Sequence, residues 1–291
     1  MGRGMARNLH KAGLLQAVWN RTHARADELA AELGVSAPAT PAELASNCDV
    51  IVLCVSADDD VLEMVDALLP ALQPGSIVID CSTVSADTAR EAARCLASRQ
   101  VEFLDAPVSG GVEGARDATL AIMAGGSVGA MERAAPVLQA MGRTVTHFGA
   151  TGSGQAAKAT NQIMCAGIIQ AVAEAMAFAK AEGLPLDKLI DTLGKGAGSS
   201  WYFVNRAPNI LRGAYPAGFR VRLHEKDLRI CRDMAARHGV QLPVVETTLA
   251  QYQRLIEQGH GDEDISTLFR LKDALFTAAS PATVATVATD R

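Results

Sequence analysis

Apolar positions in the first half of the chain come in short runs separated by amphipathic stretches. Residues 49–55 (DVIVLCV) form a continuous apolar run, the pattern of a parallel strand buried on both faces. Residues 15–20 (LQAVWN), 73–83 (QPGSIVIDCST, a turn and then a strand), 101–108 (VEFLDAPV), 119–125 (TLAIMAG) and 144–149 (TVTHFG) read as further strands. Helices are predicted between them. One runs from the start to Gly13 and one over 22–34, ending at Gly34. Another covers 58–72, with acids in its first turn where the helix dipole favours them. A fourth covers 85–99, with Ser85 or Asp87 near its cap. This alternation predicts an α/β doubly wound, Rossmann-type sheet.

The pattern changes after Gly149. Residues 149–154 (GATGSG) form a hinge-like loop, and residues 155–183 read as one long helix without a charge between Lys158 and Glu174. Its small and polar residues suit a core helix better than a membrane span, and no segment holds about 18 uninterrupted strongly apolar residues. Residues 184 to 278 read as helix after helix. The expected organisation is an α/β domain at 1–149 and an all-α domain at 150–291, with the tail at 279–291 packing loosely or not at all.

Composition narrows the classes. A net charge of −5 with dispersed basic residues argues against a nucleic-acid partner. The six cysteines form no CxxC pair and no zinc-ligand spacing with histidine, so buried thiols in a reducing, cytoplasmic compartment are expected, with no metal. The first 26 residues carry five basic residues and no acid, which a transit peptide or a helix of the folded domain would both explain.

A dinucleotide-binding turn reads strand, G-x-G-x-x-G, helix. Its glycines let the pyrophosphate approach, and the helix N-terminus faces the phosphates. The chain opens MGRGMARNLHKAG, so Met1 and Gly2 stand where the last two residues of such a turn would be. The preceding strand and two glycines are missing. At the end of the predicted strand 15–20 stand Asn20, Arg21 and Thr22, with no acid before Asp27. NAD enzymes place a carboxylate there for the ribose hydroxyls, whereas a 2′-phosphate needs cationic and small polar donors. The segment therefore favours NADP over NAD.

Lys158 lies near the start of the long uncharged helix, among alanines. Such a setting disfavours its charged form and suits acid–base work, although an exposed first-turn lysine has the same local sequence. Asn161 and Gln162 share its helix face, and either could bind substrate. Ser109, Gly110 and Gly111 form a turn whose successive backbone amides can converge on a carboxylate; a simple tight turn is the plain alternative.

Four segments in fixed order carry a resemblance: MGRGMARNL (1–9), DAPVSGG (105–111), GSGQAAKATNQ (152–162) and LHEKDL (223–228). The chain resembles the β-hydroxyacid dehydrogenases, which include 3-hydroxyisobutyrate dehydrogenase, tartronate semialdehyde reductase and glyoxylate/succinic semialdehyde reductase. The likeness runs to about residue 278 and identifies the basic N-terminus as the family's first helix. It departs at the missing first strand, which a start site placed too far downstream would explain, and at 117–120 (DATL), where relatives often have glycine before the threonine.

The resemblance implies hydride transfer between NADP(H) and a small carboxylated aldehyde or its 3-hydroxy acid. Lys158 would be the general acid and base, and Ser109, Gly110 and Gly111 would hold the substrate carboxylate. It implies cofactor contacts at Val55, Ser56 and Thr83 and at Lys226, a pocket wall at 196–208 including Trp201 and Tyr202, and a homodimer or homotetramer. Two alternatives are a non-catalytic scaffold on a dehydrogenase fold and an imine reductase-like enzyme. Relatives of the latter kind typically lack a lysine at the position of Lys158.

Overall fold

A computed structural model describes residues 1–278, so the predicted loose tail lies outside the described residues. Two compact units divide the chain. Met1–Gln162 with Ala236–His238 makes the first, and Ile163–Ala235 with Gly239 onward makes the second.

The first unit runs α1 (Gly2–Lys11), α2 (His23–Leu33), α3 (Pro41–Ala45), β1 (Val50–Leu53), α4 (Asp58–Leu68), β2 (Ile77–Asp80), α5 (Ala86–Ala97), β3 (Glu102–Asp105), β4 (Val108–Ser109), α6 (Gly111–Arg116), β5 (Leu120–Gly125), α7 (Val128–Met141), β6 (Gly142–Gly149) and the start of α8 (Ser153–Ala181). Local chemistry sets the helix ends. Gly34 closes α2 in the left-handed region at φ +67°. The Ser85 hydroxyl accepts from the Thr88 amide at 3.0 Å, so Ser85 rather than Asp87 caps α5.

The sheet is mixed. β1, β2 and β3 are parallel neighbours, as doubly wound folds require, and β6 is parallel to β5. β5 is antiparallel to both β3 and β4. Pro107 is the reason the predicted strand 101–108 splits in two: proline has no amide to donate to a ladder. The predicted strand 15–20 does not form. It is reduced to one parallel bridge, Ala17 with Ser36, held by the Val18 amide on the Ser36 carbonyl at 3.0 Å. β1 pairs only with β2, and no strand among the described residues gives 15–20 a ladder to join.

β2 is buried on both faces, which explains its unbroken apolar sequence. Ile77 and Ile79 pack with Met5, Leu104, Leu138 and Met141 on one side. Val78 packs with Leu53, Val65, Leu96 and Phe103 on the other.

The second unit continues α8 and adds α9 (Leu186–Leu193), α10 (Trp201–Arg212), α11 (Val221–Ala236), α12 (Pro243–Glu257) and α13 (Phe269–Ala278), the last preceded by a 3₁₀ turn at Ile265–Leu268. Buried Asp264 organises it. Its carboxylate accepts from the Phe219 amide at 3.0 Å and the Ser266 hydroxyl at 2.7 Å, and Arg206 lies 3.6 Å away. In length and composition α8 would suffice to cross a membrane: 29 residues, with a mean hydropathy of 1.5 over its most apolar 18-residue stretch. It buries Gln155, Lys158, Gln162, Ala166, Ile169 and Met176 and leaves Met164 and Phe178 exposed.

Candidate active site

β1, β2 and β3 run parallel, so their carboxyl ends share one edge of the sheet, where ligands of doubly wound folds bind. A buried polar network ties the loops of this edge together. Asp80, the last residue of β2, accepts from the Ser82 amide at 2.9 Å, and the Ser82 hydroxyl accepts from the Val55 amide at 2.9 Å. Val55 and Ser56 after β1, and Thr83 after β2, therefore lie in loops fixed to each other.

The same edge holds the start of α8. Asp105 ends β3 and is fully buried. Its carboxylate accepts from the Gly152 amide at 2.7 Å and from the Gln155 amide at 2.9 Å, bonds that supply the opening turn of α8 with its cap. Burial, opposed by these backbone donors, moves the Asp105 carboxyl above the usual aspartate range. The backbones meet too closely for side chains. A Cβ on Gly125 would lie 2.7 Å from the Asp105 carboxylate, and one on Gly154 would collide with the carbonyl oxygens of Asp105 and Met123.

Lys158 follows on this anchored turn and is 7% exposed. The exposed first-turn lysine is thus ruled out as its setting. Gln162, one turn later, is buried, while Asn161 is half-buried and donates to the Gln162 side-chain oxygen at 2.8 Å.

Ser109 ends β4 opposite Ala121 and leads into Gly110 at φ +132° and Gly111 at φ +66°, conformations that glycine adopts readily. The turn opens α6, which is clamped to α1. The Asn8 amide donates to the Ala115 carbonyl at 2.7 Å, and a Cβ on Gly4 would lie 2.8 Å from the same oxygen. The turn is closely packed: a Cβ on Gly111 would lie 3.1 Å from a Glu113 carboxylate oxygen.

α1 begins at Gly2 next to Cys54, just past β1, and no side chain caps it at Met1. Helix N-termini attract anionic groups such as a dinucleotide pyrophosphate, and here the Gly4 and Met5 amides are bonded to the Met1 carbonyl. Asn20, Arg21 and Thr22 are exposed ahead of α2, where the Asn20 side-chain oxygen accepts from the Thr22 amide at 2.9 Å. Arg21 is paired with Asp60 of α4 at 3.2 Å, so a carboxylate does approach this segment, from a distant part of the chain. Lys226 lies in the second unit on α11, partly buried and 3.0 Å from the Asp227 carboxylate. Of the predicted pocket wall, Trp201 is exposed under the Arg206 guanidinium and Tyr202 is buried. Among the described residues no three His, Cys, Asp or Glu side chains converge as metal ligands do.

Four residues escaped sequence reasoning: Asp105, Gln155, Asp60 and Glu113. Asp105 carried a usable signal, an acid closing an apolar strand run. Asp60 sat in an acidic first turn that the helix dipole already explained.

Comparison with known proteins agrees with this geometry. Residues 1–149 match the model of the NAD-binding domain of 6-phosphogluconate dehydrogenase. Residues 152–272 match that of the NAD-binding domain of NADP-dependent 3-hydroxyisobutyrate dehydrogenase. The chain is 34% identical over 283 residues to the NAD-dependent L-serine dehydrogenase of Pseudomonas aeruginosa, covering 94% of this chain and 95% of that protein. Among solved structures, the 3-hydroxyisobutyrate dehydrogenase of Salmonella typhimurium is 34% identical with a TM-score of 0.83, the match covering 93% of this chain and 95% of that one. That of Mycobacterium tuberculosis, solved with L-serine, is 32% identical with a TM-score of 0.84 and the same coverage. With an NAD(P)-type sheet edge, an anchored buried lysine and relatives alike over nearly their whole length, the chain belongs to the β-hydroxyacid dehydrogenase family of oxidoreductases.

Proposed function

We propose that the protein interconverts a small carboxylated aldehyde and its 3-hydroxy acid, with NADP preferred to NAD and Lys158 as general acid and base. The observation that carries this reading is the buried Lys158 on a helix start anchored to the carboxyl edge of the sheet by Asp105. The reduced dinucleotide, when bound, supplies the hydride. Reduction builds negative charge on the carbonyl oxygen, and Lys158 donates its proton there; in the oxidation it takes the hydroxyl proton. Ser109, Gly110 and Gly111 bind the substrate carboxylate, and Asn161 or Gln162 orients substrate against Lys158. L-Serine, named for the Pseudomonas relative and bound in the Mycobacterium structure, is itself a 3-hydroxy acid and joins the substrate set. The exposed Phe178 and Leu275 of the second unit support a homo-oligomer, and six free thiols suit a cytoplasmic setting.

Titration with NADPH and NADH, followed by nicotinamide fluorescence, tests the cofactor half of this reading. NADPH is expected to bind more tightly. Arg21→Ala should weaken NADPH by about tenfold, the worth of one charge-assisted contact, and leave NADH alone. Asp60→Asn frees Arg21 and should tighten NADPH. Binding of neither dinucleotide overturns the proposal. Initial rates with tartronate, methylmalonate and succinate semialdehydes and glyoxylate, and with L-serine in reverse, then test the substrate class. Turnover of a cyclic imine with none of these would overturn it.

A further inference from the structure

We infer that Gln155 is a positioning residue that locks the cofactor edge of the sheet to the helix carrying Lys158. The assignment rests on the reading of Thr83 as a cofactor contact and Lys158 as proton donor. Gln155 is 1% exposed, and its side chain makes two opposed hydrogen bonds. Its oxygen accepts from the Val84 amide at 3.2 Å, and its nitrogen donates to the Ser82 carbonyl at 2.9 Å. These two bonds bracket Thr83 from either side along the chain. The Gln155 main-chain amide is meanwhile held by Asp105 at 2.9 Å. Three residues later on the same helix face comes Lys158.

One glutamine therefore fixes two things at once. Through its side chain it sets the conformation of the loop that presents Thr83. Through its backbone it belongs to the turn that places Lys158. The Ser82 hydroxyl extends the lock to Val55, on the loop after β1. An amide is suited to this position, because a loop presents one donor and one acceptor there and Gln carries the complement of both. A hydrophobic residue of the same length would leave the Val84 amide and Ser82 carbonyl buried without those partners.

The test compares wild type with Gln155→Met and Gln155→Glu. The glutamate keeps the acceptor for Val84 but sets an oxygen against the Ser82 carbonyl, and it serves if the methionine variant fails to fold. Amide hydrogen exchange at Val84, the dissociation constant for NADPH, and kcat with the best semialdehyde are measured well below the melting temperature. Loss of protection at Val84, with NADPH binding weakened and kcat lowered, each by about tenfold or more, is the expected result. A purely structural glutamine would lower the melting temperature and leave Kd and kcat of the folded protein unmoved, which overturns the assignment. Unchanged protection at Val84 overturns it as well. A wild-type chain that binds neither dinucleotide overturns the functional reading and this assignment with it, whereas wild-type binding with unmoved variants overturns the assignment alone.

Discussion

Replacing Lys158 with alanine is expected to lower kcat by about 10²–10⁴-fold, the usual contribution of a positioned proton donor. NADPH affinity should barely move, because Ser82 and Gln155 hold the loops that present Val55 and Thr83. Lys158→Arg separates two ways the lysine could act. Arginine keeps the positive charge but does not release its proton at working pH, so it preserves electrostatic stabilisation and removes proton transfer. Both variants should be slow. Steady-state rates alongside fluorescence titration decide the matter: a Lys158→Ala chain with wild-type kcat would remove Lys158 from the chemistry. A fast Lys158→Arg chain would leave it a charge and nothing more.

The second large effect concerns the seat of α8. Gly154→Ala adds a methyl group that collides with two main-chain carbonyl oxygens, of Asp105 and Met123, neither of which can rotate away as a side chain would. The helix has to lift off the sheet. A loss of about 3 kcal/mol or more is expected, at the upper end for overpacking of an interior. The melting temperature should fall by roughly 10 °C. Gly129→Ala is the control. A Cβ there meets nothing within 4 Å, and the position is helical, so stability should hold or rise slightly. Equal melting temperatures for the Gly154→Ala chain and wild type would mean that α8 does not sit against β3 and β5 as described.

The elements legible in the sequence are those written in local terms. The apolar run of β1, the left-handed glycine after α2 and the serine cap of α5 each occupy a few consecutive residues, and each lies where its pattern placed it. The predicted strand at 15–20 has the composition of a strand but no ladder to join, so composition misled. The helix α7 went unnamed because its apolar positions blur into the small-residue stretches around it. In the site, motif residues such as Lys158 and Ser109 could be named from the chain. The residues that hold them could not. Asp105 meets Gly152 across 47 residues, and Arg21 meets Asp60 across 39. Contacts of that span leave no periodicity behind. They follow from which strand ends the sheet gathers on one edge.

Asp105 also bears on proton balance. Because burial raises its carboxyl above the usual aspartate range, the folded chain takes up this proton at a higher pH than the unfolded chain does. By linkage, the stability associated with this group is fully present below the ordinary aspartate value and declines as pH rises through the raised folded value. Acidification therefore relieves a cost at this site instead of breaking it, which is opposite to the behaviour of a carboxylate held by an ion pair. Exposed carboxylates such as Glu28 beside Arg3 and Glu32 beside Arg7 behave in the opposite sense, because their hydrogen-bonded arginine partners lower their proton affinity in the folded chain.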